Sequence, residues 1–278
     1  MAIAVVFAVA TLIASCSSDS SESPRATTTG RVATTVVGPY SARVVREVEV
    51  DPAYRQGLAR VDTGWIFSVN DGLFLTDDAL NRTASVAPAI PAEWKTRGFD
   101  HIGDVDVVEG VVYVPLEQPD YERNGQAMLT YDAAKLGYTG GREVAQHHNS
   151  FVTVDPATGI AYSMDRFGGD ALLRYDVEDD WRPLSPLSMS MPVDRVQGGD
   201  VRDGAVWLST DDATDGVYRV ALASGKVEAL GSIGHVDGEG EGIDATPLPN
   251  GDLHVLTIDV KVVPVRLIQL QVIAPRSR

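Results

Sequence analysis

The sequence predicts an all-β fold, a five-bladed β-propeller whose ring is closed by an N-terminal strand. Three observations carry the prediction. Short runs of Val, Ile and Tyr are punctuated by 26 Gly and 15 Pro, the composition of strands joined by tight turns. Five segments repeat one plan with a period in the forties. No helical periodicity of any length competes, and the AEW stretch around Trp94 supports at most one turn.

The repeat is the strongest of the three. The segments read VDTGWIFSVNDGLFLTD, VDVVEGVVYVPLE, VDPATGIAYSMDRFGGDALLRYD, GDVRDGAVWLSTDDATDGVYRVAL and IDATPLPNGDLHVLTID. Each sets an Asp, a Gly turn, an apolar strand, a polar break and a second apolar strand in order. Anchored on Asp62, Asp106, Asp155, Asp200 and Asp244, the spacings are 44, 49, 45 and 44 residues. Several short strands per unit of that length are the sign of propeller blades. Turns such as DTG, PATG and RDG supply the positive φ that hairpins need. Five units take up residues 58–278, and six blades is the alternative if the first segment hides two. The last unit lacks an outer strand. Residues 43–50, RVVREVEV, are expected to supply it and so remove a free edge.

Ahead of the blades, residues 2–14 read AIAVVFAVATLIA. This apolar run is too short to span a bilayer as a helix but has the length of a signal-peptide core. Leu12-Ile13-Ala14-Ser15-Cys16 resembles the lipobox of bacterial lipoproteins. That resemblance implies cleavage before Cys16, a diacylglycerol on its thiol, and anchoring at the extracytoplasmic face of the cell membrane. No Lys or Arg precedes the apolar run, a departure from the usual leader. Residues 1–15 are therefore expected as a signal peptide, 16–39 as a Ser- and Thr-rich flexible tether, and 40–278 as the propeller. Cys16 is the single cysteine, so no intramolecular disulfide can form.

The chain carries 39 acidic and 23 basic residues, a net charge of −16. Nucleic acid is excluded as a partner, because phosphate neutralisation needs a basic face. The balance suits a cation-binding or well-solvated extracellular surface on a monomer that takes a small-molecule or protein ligand.

In a propeller the innermost strands line a central channel. Their starts share a face with the connections between second and third strands. The strand starts carry Gln56, His101 with Asp104, His148 with Asn149, Gln197 with Asp200, and Glu239 with Glu241. The connections carry Asn70, Asp71, Glu117, Asp165, Arg166, Asp211, Asp212 and Asp259. Both sets are expected to ring one mouth. Converging carboxylates repel one another, so they need cations, protons or arginines beside them. Oxygen-rich sets suit Ca²⁺, with Glu239, Glu241, Asp104 and Asn149 as its expected ligands. His101, His147 and His148 offer a transition-metal alternative, and Arg166 offers a guanidinium to an anionic ligand. Trp65, Tyr113, Tyr162 and Trp207 read as packing between blades, whereas Trp94 and Trp181 read as exposed aromatics. The stretch GHVDGEGEGIDA places Asp237, Glu239, Glu241 and Gly242 at the first, third, fifth and sixth positions of an EF-hand loop. Leu248 stands where the twelfth position needs a bidentate Glu, so the stretch is not an EF-hand.

The blade plan resembles that of secreted propellers of the NHL, YVTN and gluconolactonase-like group. Two elements are narrower. Arg55-Gln56-Gly57-Leu58 and Gly240-Glu241-Gly242-Ile243 resemble the QGL and GEGI elements that open inner strands in glutaminyl cyclotransferases of the plant and bacterial type. Those are five-bladed propellers, and EGI-like elements recur in calcium-dependent nucleotidases of five blades. A glutamate-containing segment expected after the first inner strand is Phe67-Ser68-Val69-Asn70 here, a departure from the cyclotransferase pattern. Three function classes follow. The first, and favoured, is a ligand or cation binder at an acidic channel mouth. The second is a metal-assisted hydrolase, lactonase or glutaminyl cyclotransferase-like enzyme in which Glu241 or His101 handles protons. The third is a protein-interaction platform, which calls for an exposed apolar patch.

The lipobox makes a direct prediction. Expressed in a bacterium fed an alkyne fatty acid, the protein should be labelled and sediment with membranes. Cys16→Ser should be unlabelled and soluble, and a labelled Cys16→Ser protein would reject the assignment.

Overall fold

The computed structural model describes residues 40–233, 238–246, 252–259 and 264–273. The leader, the tether, Cys16 and Asp237 lie outside the described residues. Five antiparallel sheets stand in a ring, each contributing an innermost strand to the central channel. Blade 1 runs from the inside outward as Gly57–Val61, Gly64–Val69, Gly72–Asp77 and Arg82–Val86. Blade 2 has a broken inner strand, His101–Ile102 and Asp106–Val108, then Val111–Glu117, Gln126–Asp132 and Gly137–Val144. Blade 3 comprises Thr153–Asp155, Ile160–Ser163, Gly169–Asp176 and Arg182–Val193. Blade 4 comprises Val196–Arg202, Ala205–Thr210, Gly216–Ala221 and Lys226–Ser232. Blade 5 comprises Gly238–Asp244, Leu253–Asp259, Val265–Ile273 and, outermost, Ser41–Val50.

The N-terminal strand thus completes the last blade, pairing antiparallel from Ser41 with Ile273 to Val50 with Val265. Building one blade from strands of both ends of the chain joins its first and last units and covers the edge of Val265–Ile273. The five-blade count holds, and among the described residues helix is confined to a single turn at Ala92–Lys95 and a short 3₁₀ turn at Tyr121–Arg123.

The apolar runs read from the sequence are explained by how blades pack. Successive residues of a strand point to opposite faces of its sheet, and here each face meets a neighbouring blade. Trp65 and Phe67 pack against Leu256 and Ile258 of blade 5, while Ile66 joins Val112 and Val114 of blade 2. Trp207 packs on Val255 of blade 5, and its neighbours Val206 and Leu208 face Tyr162 and Leu172 of blade 3. Among the described residues the core is accordingly divided into five apolar clusters, one for each junction between blades. Second strands such as VVYVPLE are apolar on both faces for this reason. Trp65, Trp207 and Tyr162 are buried as expected. Trp94 and Trp181 are not the exposed aromatics that their loop-like context suggested, being only 4% and 8% exposed. Trp94 stands edge-on to Phe99, beneath the Arg97 guanidinium, and Trp181 covers Tyr113.

The register also corrects the phase of the repeat. The structurally equivalent inner-strand positions are Arg60, Asp106, Thr153, Asp200 and Asp244, paired across the hairpin with Trp65, Tyr113, Tyr162, Trp207 and His254. Asp62 and Asp155 sit two residues later. Asp155 caps its hairpin turn by accepting from the Ala157 N–H at 3.0 Å. The equivalent positions stitch blade to blade. Asp106 accepts from the Val154 N–H at 2.7 Å and the Thr153 hydroxyl at 3.0 Å. The Thr153 hydroxyl accepts from Val201 N–H at 2.8 Å, Asp200 from Ala245 N–H at 2.5 Å, and Asp244 from Arg60 N–H at 2.7 Å. Each bond crosses to the inner strand of the next blade, a task that apolar residues cannot perform.

Above this tier Asp104 lies on the axis. Its Oδ1 accepts from Leu58 N–H at 3.0 Å, and its Oδ2 accepts from Gly199 and Ile243 N–H, both at 3.1 Å. Its own N–H donates to Ser150 O at 2.7 Å. One residue of blade 2 is therefore bonded to blades 1, 3, 4 and 5. Gly57 and Gly242 pack directly against it, and a β-carbon at either would collide with the Asp104 side chain. Removing the carboxylate should leave three buried N–H groups unsatisfied at 1–3 kcal/mol each. Asp104→Ala is therefore expected to lose about 4 kcal/mol or more in a urea titration. A loss under about 1 kcal/mol would show that the axis does not depend on this carboxylate.

Candidate functional site

The polar residues predicted to ring one mouth separate into three groups once placed. Asp104, Asn149 and Asp200 point into the body of the ring and are engaged there. Asn149 is fully buried, donating to Ala127 O at 2.7 Å and accepting from Gln146 Nε2 at 2.9 Å. Asp200 belongs to the deeper tier of stitches, not to the mouth. These three are positioning residues for strands, and their oxygens face protein donors instead of a ligand.

A second group forms the mouth proper. His101, at the start of blade 2, is held between Gln56 and Asn70 of blade 1. Asn70 Nδ2 donates to His101 Nδ1 at 3.0 Å, so the Nε2–H donates to Gln56 Oε1 at 2.8 Å. Burial pushes the imidazole down to about 4, with the Arg166 charge adding to the shift. His101 is therefore a neutral ring with both nitrogens engaged. It fixes the Gln56 amide so that its Nε2 hydrogens are left for a ligand. Across the mouth, Asp211 of blade 4 is almost wholly buried and is clamped by three donors. Arg195 Nε donates at 2.7 Å, Gln197 Nε2 at 2.9 Å and Arg166, reaching from blade 3, at 2.5 Å.

Arg166 connects these halves. Its charge bears on His101 and Glu117 of blade 2 and on Glu241 of blade 5 as well as on Asp211. Its Nε is buried and has no hydrogen-bond partner among the described residues. Glu117 accepts from the Asn149 N–H, and burial raises its carboxyl above the usual range.

Glu241 is the residue that its neighbours do not satisfy. It is 3% exposed, its carbonyl accepts from the Ser209 hydroxyl, and its carboxyl makes no hydrogen bond among the described residues. Burial pushes the carboxyl well above the usual range, and the charges of Glu239 and Asp211 push it further, against Arg166 and Arg55. Two residues away, Glu239 is exposed.

The third group rims the mouth. Asp165 does not reach into the channel, because its Oδ1 accepts from the N–H groups of His147 and His148, each at 2.9 Å. His148 is half-buried, with its ring stacked on Tyr121 at 4.2 Å.

The converging carboxylates are thus tolerated by arginines and protons. Arg195 and Arg55 were not singled out in the sequence. Their only signal was position, Arg55 immediately ahead of Gln56 and Arg195 two residues ahead of Gln197, both strand-start residues already chosen. Among the described residues no group of three or more His, Cys, Asp or Glu is arranged to hold a metal ion. The four expected Ca²⁺ ligands do not fit one cage, since Asp104 and Asn149 are engaged and only the two glutamates remain. A cleft of about 900 Å³ lies on the opposite face between blades 1 and 2, lined by Arg60, Asp62, Glu109, Asp132 and Thr246. It is remote from the mouth and holds none of its residues.

Glu241 sets a pH signature. A carboxyl whose folded value is raised keeps its proton after the unfolded chain has lost its own, so stability falls as pH rises from about 4.5 through the folded value. Glu241→Gln removes that dependence. Its melting midpoint should exceed wild type at pH 8 and converge with it at pH 4, and parallel curves at both values would reject a buried, protonated Glu241.

No family model and no curated protein sequence matches the chain. Solved structures do. The glutaminyl cyclase of Myxococcus xanthus superposes with a TM-score of 0.62 at 13% identity, covering 84% of this chain and 97% of that one. Hydrazine synthase of Kuenenia stuttgartiensis matches with a TM-score of 0.47 at 14% identity, over 89% of this chain and 67% of that one. The protein shares its fold, a five-bladed β-propeller, with the Myxococcus enzyme.

Proposed function

We propose that the mouth is a binding site for a small ligand carrying a primary amide. The observation that carries the reading is the buried Glu241 carboxyl with no partner among the described residues. A protonated carboxyl offers one donor and one acceptor side by side, and a primary amide offers the complementary pair. The Gln56 amide nitrogen, fixed by His101, supplies a further donor, and Arg166 Nε another. Leaving the buried Arg166 Nε unpaired costs on the order of 1–3 kcal/mol, which a fitting ligand recovers. Lipid anchoring through Cys16 at the extracytoplasmic face is part of the proposal. Ser41 pairs with Ile273 at the end of blade 5 opposite the mouth, which supports a mouth directed away from the membrane.

A second reading, catalysis, is favoured by the same carboxyl together with the fold shared with a glutaminyl cyclase. In an N-terminal glutaminyl peptide the α-amino nitrogen would attack the side-chain amide carbon. A C–N bond forms, the amide C–N bond breaks and ammonia leaves. Glu241, protonated in the resting site, would give its proton to the departing nitrogen and regain one from the attacking amine, work suited to a carboxyl whose affinity for protons is raised. Arg166 and Gln56 would hold the substrate.

Calorimetric titration of the folded protein with the dipeptide Gln-Ala tests both readings. Binding weakened at least tenfold by Glu241→Ala and by Arg166→Ala is expected, and unchanged affinity in both variants would overturn the site. Release of ammonia during incubation, lost in Glu241→Gln, would establish the second reading. Binding without ammonia would leave the protein a binder.

A further inference from the structure

Beside the polar mouth stands an aromatic wall that the amide site does not use. Five large apolar side chains are substantially exposed among the described residues: Val45, Tyr138, Phe167, Met191 and Ile273. Four of them lie on outermost or next-to-outermost strands, at the circumference. Phe167 alone lies on the mouth face, in the connection between the second and third strands of blade 3. It is 51% exposed.

Its setting is built. The ring stands edge-on to His148 at 5.1 Å and 87°, and His148 is itself stacked on Tyr121 at 4.2 Å. His148 is fixed from behind, where Asp165 accepts from its backbone N–H. The Arg166 guanidinium covers Phe167 at 5.2 Å from the ring centroid. With Arg166 over the ring and about half of its surface open to solvent, Phe167 leaves apolar surface available next to the guanidinium that clamps Asp211. An aromatic ring laid on that surface would gain stacking energy and remove apolar area from water, with little ordering cost because the wall is already held.

We propose that Phe167, backed by His148 and Tyr121, is a stacking subsite for an aromatic ring carried by the ligand of the mouth. This rests on the amide-binding reading and sets its specificity. The ligand class becomes a short peptide or peptide-like molecule with a primary amide at one end and an aromatic group one residue away. Phe167 is a specificity-determining residue in this account, with no part in proton transfer.

The test compares three dipeptides by calorimetry: Gln-Ala, Gln-Phe and Gln-cyclohexylalanine. Wild type is expected to bind Gln-Phe at least fivefold tighter than Gln-Ala, with Gln-cyclohexylalanine in between. Phe167→Ala should bind all three alike, whereas Phe167→Trp should keep the preference. Phe167 is a surface side chain, and an unchanged melting curve checks that both variants fold. Equal wild-type affinity for Gln-Ala and Gln-Phe would overturn the subsite while leaving the amide site standing. So would a preference that survives in Phe167→Ala, or a cyclohexyl ring that binds as well as phenyl. Failure of all three peptides to bind would overturn the amide reading and the subsite with it.

Discussion

A single carboxylate on the axis of the ring is the constraint on which the rest depends. Asp104 comes from the break in the inner strand of blade 2 and accepts backbone N–H groups from blades 1, 4 and 5. Burial raises its pKa, and the three donors oppose the shift. Hydrogen bonds held away from water are stronger than those exposed to it. For three strands to approach one carboxylate, their backbones must come within bonding distance of the same atoms. That requirement explains the glycines at the strand starts, Gly57, Gly198 and Gly242, where a β-carbon would strike Asp104, better than flexibility does. The chain places glycine there because any β-carbon would occupy space that the axis needs.

The two tiers divide the acidic residues by task. Below Asp104, Asp106, Asp200 and Asp244 each accept from the next blade; burial raises all three, and repulsion from neighbouring carboxylates adds to the shift at Asp106 and Asp200. Above it, Asp211 is neutralised by Arg166, Arg195 and Gln197. Glu241 stands between these regimes, too buried to ionise readily and without the donors that satisfy Asp104. A group held that way in a packed ring is costly to the fold, which is why it marks a place where ligand contacts decide the free energy. Among the described residues the mouth offers the Glu241 carboxyl, the Gln56 amide nitrogen and the spanning Arg166 guanidinium.

Much of the architecture was legible in the chain. The period in the forties, the Gly-bearing turns and the spare strand at residues 43–50 led to five blades and their closure. They are local signals, set by strand length and turn chemistry. The phase of the repeat was not legible at Asp62 and Asp155, because a turn aspartate and a stitching aspartate look alike in sequence. Trp94 and Trp181 were misread for a related reason, since a loop-like context does not reveal that the loop folds back onto a core. The mouth was half legible. Gln56, His101, Arg166, Gln197 and Glu241 do gather on one face, but Asp104, Asn149 and Asp200 turn inward, and one-dimensional spacing carries no record of that difference.

By itself, then, the sequence determined which residues would form strands, how many blades they would make and which polar groups would be brought to the ring's centre. The tertiary structure alone decided what each polar group does there. A carboxylate's role depends on which donors surround it and how far it lies from water, and those donors come from blades separated by as many as 184 residues, as Asp244 and Arg60 are. Asp104 became a keystone and Glu241 an open site through partners the sequence could not pair. The difference is set by three backbone N–H groups that reach one of them and none that reaches the other.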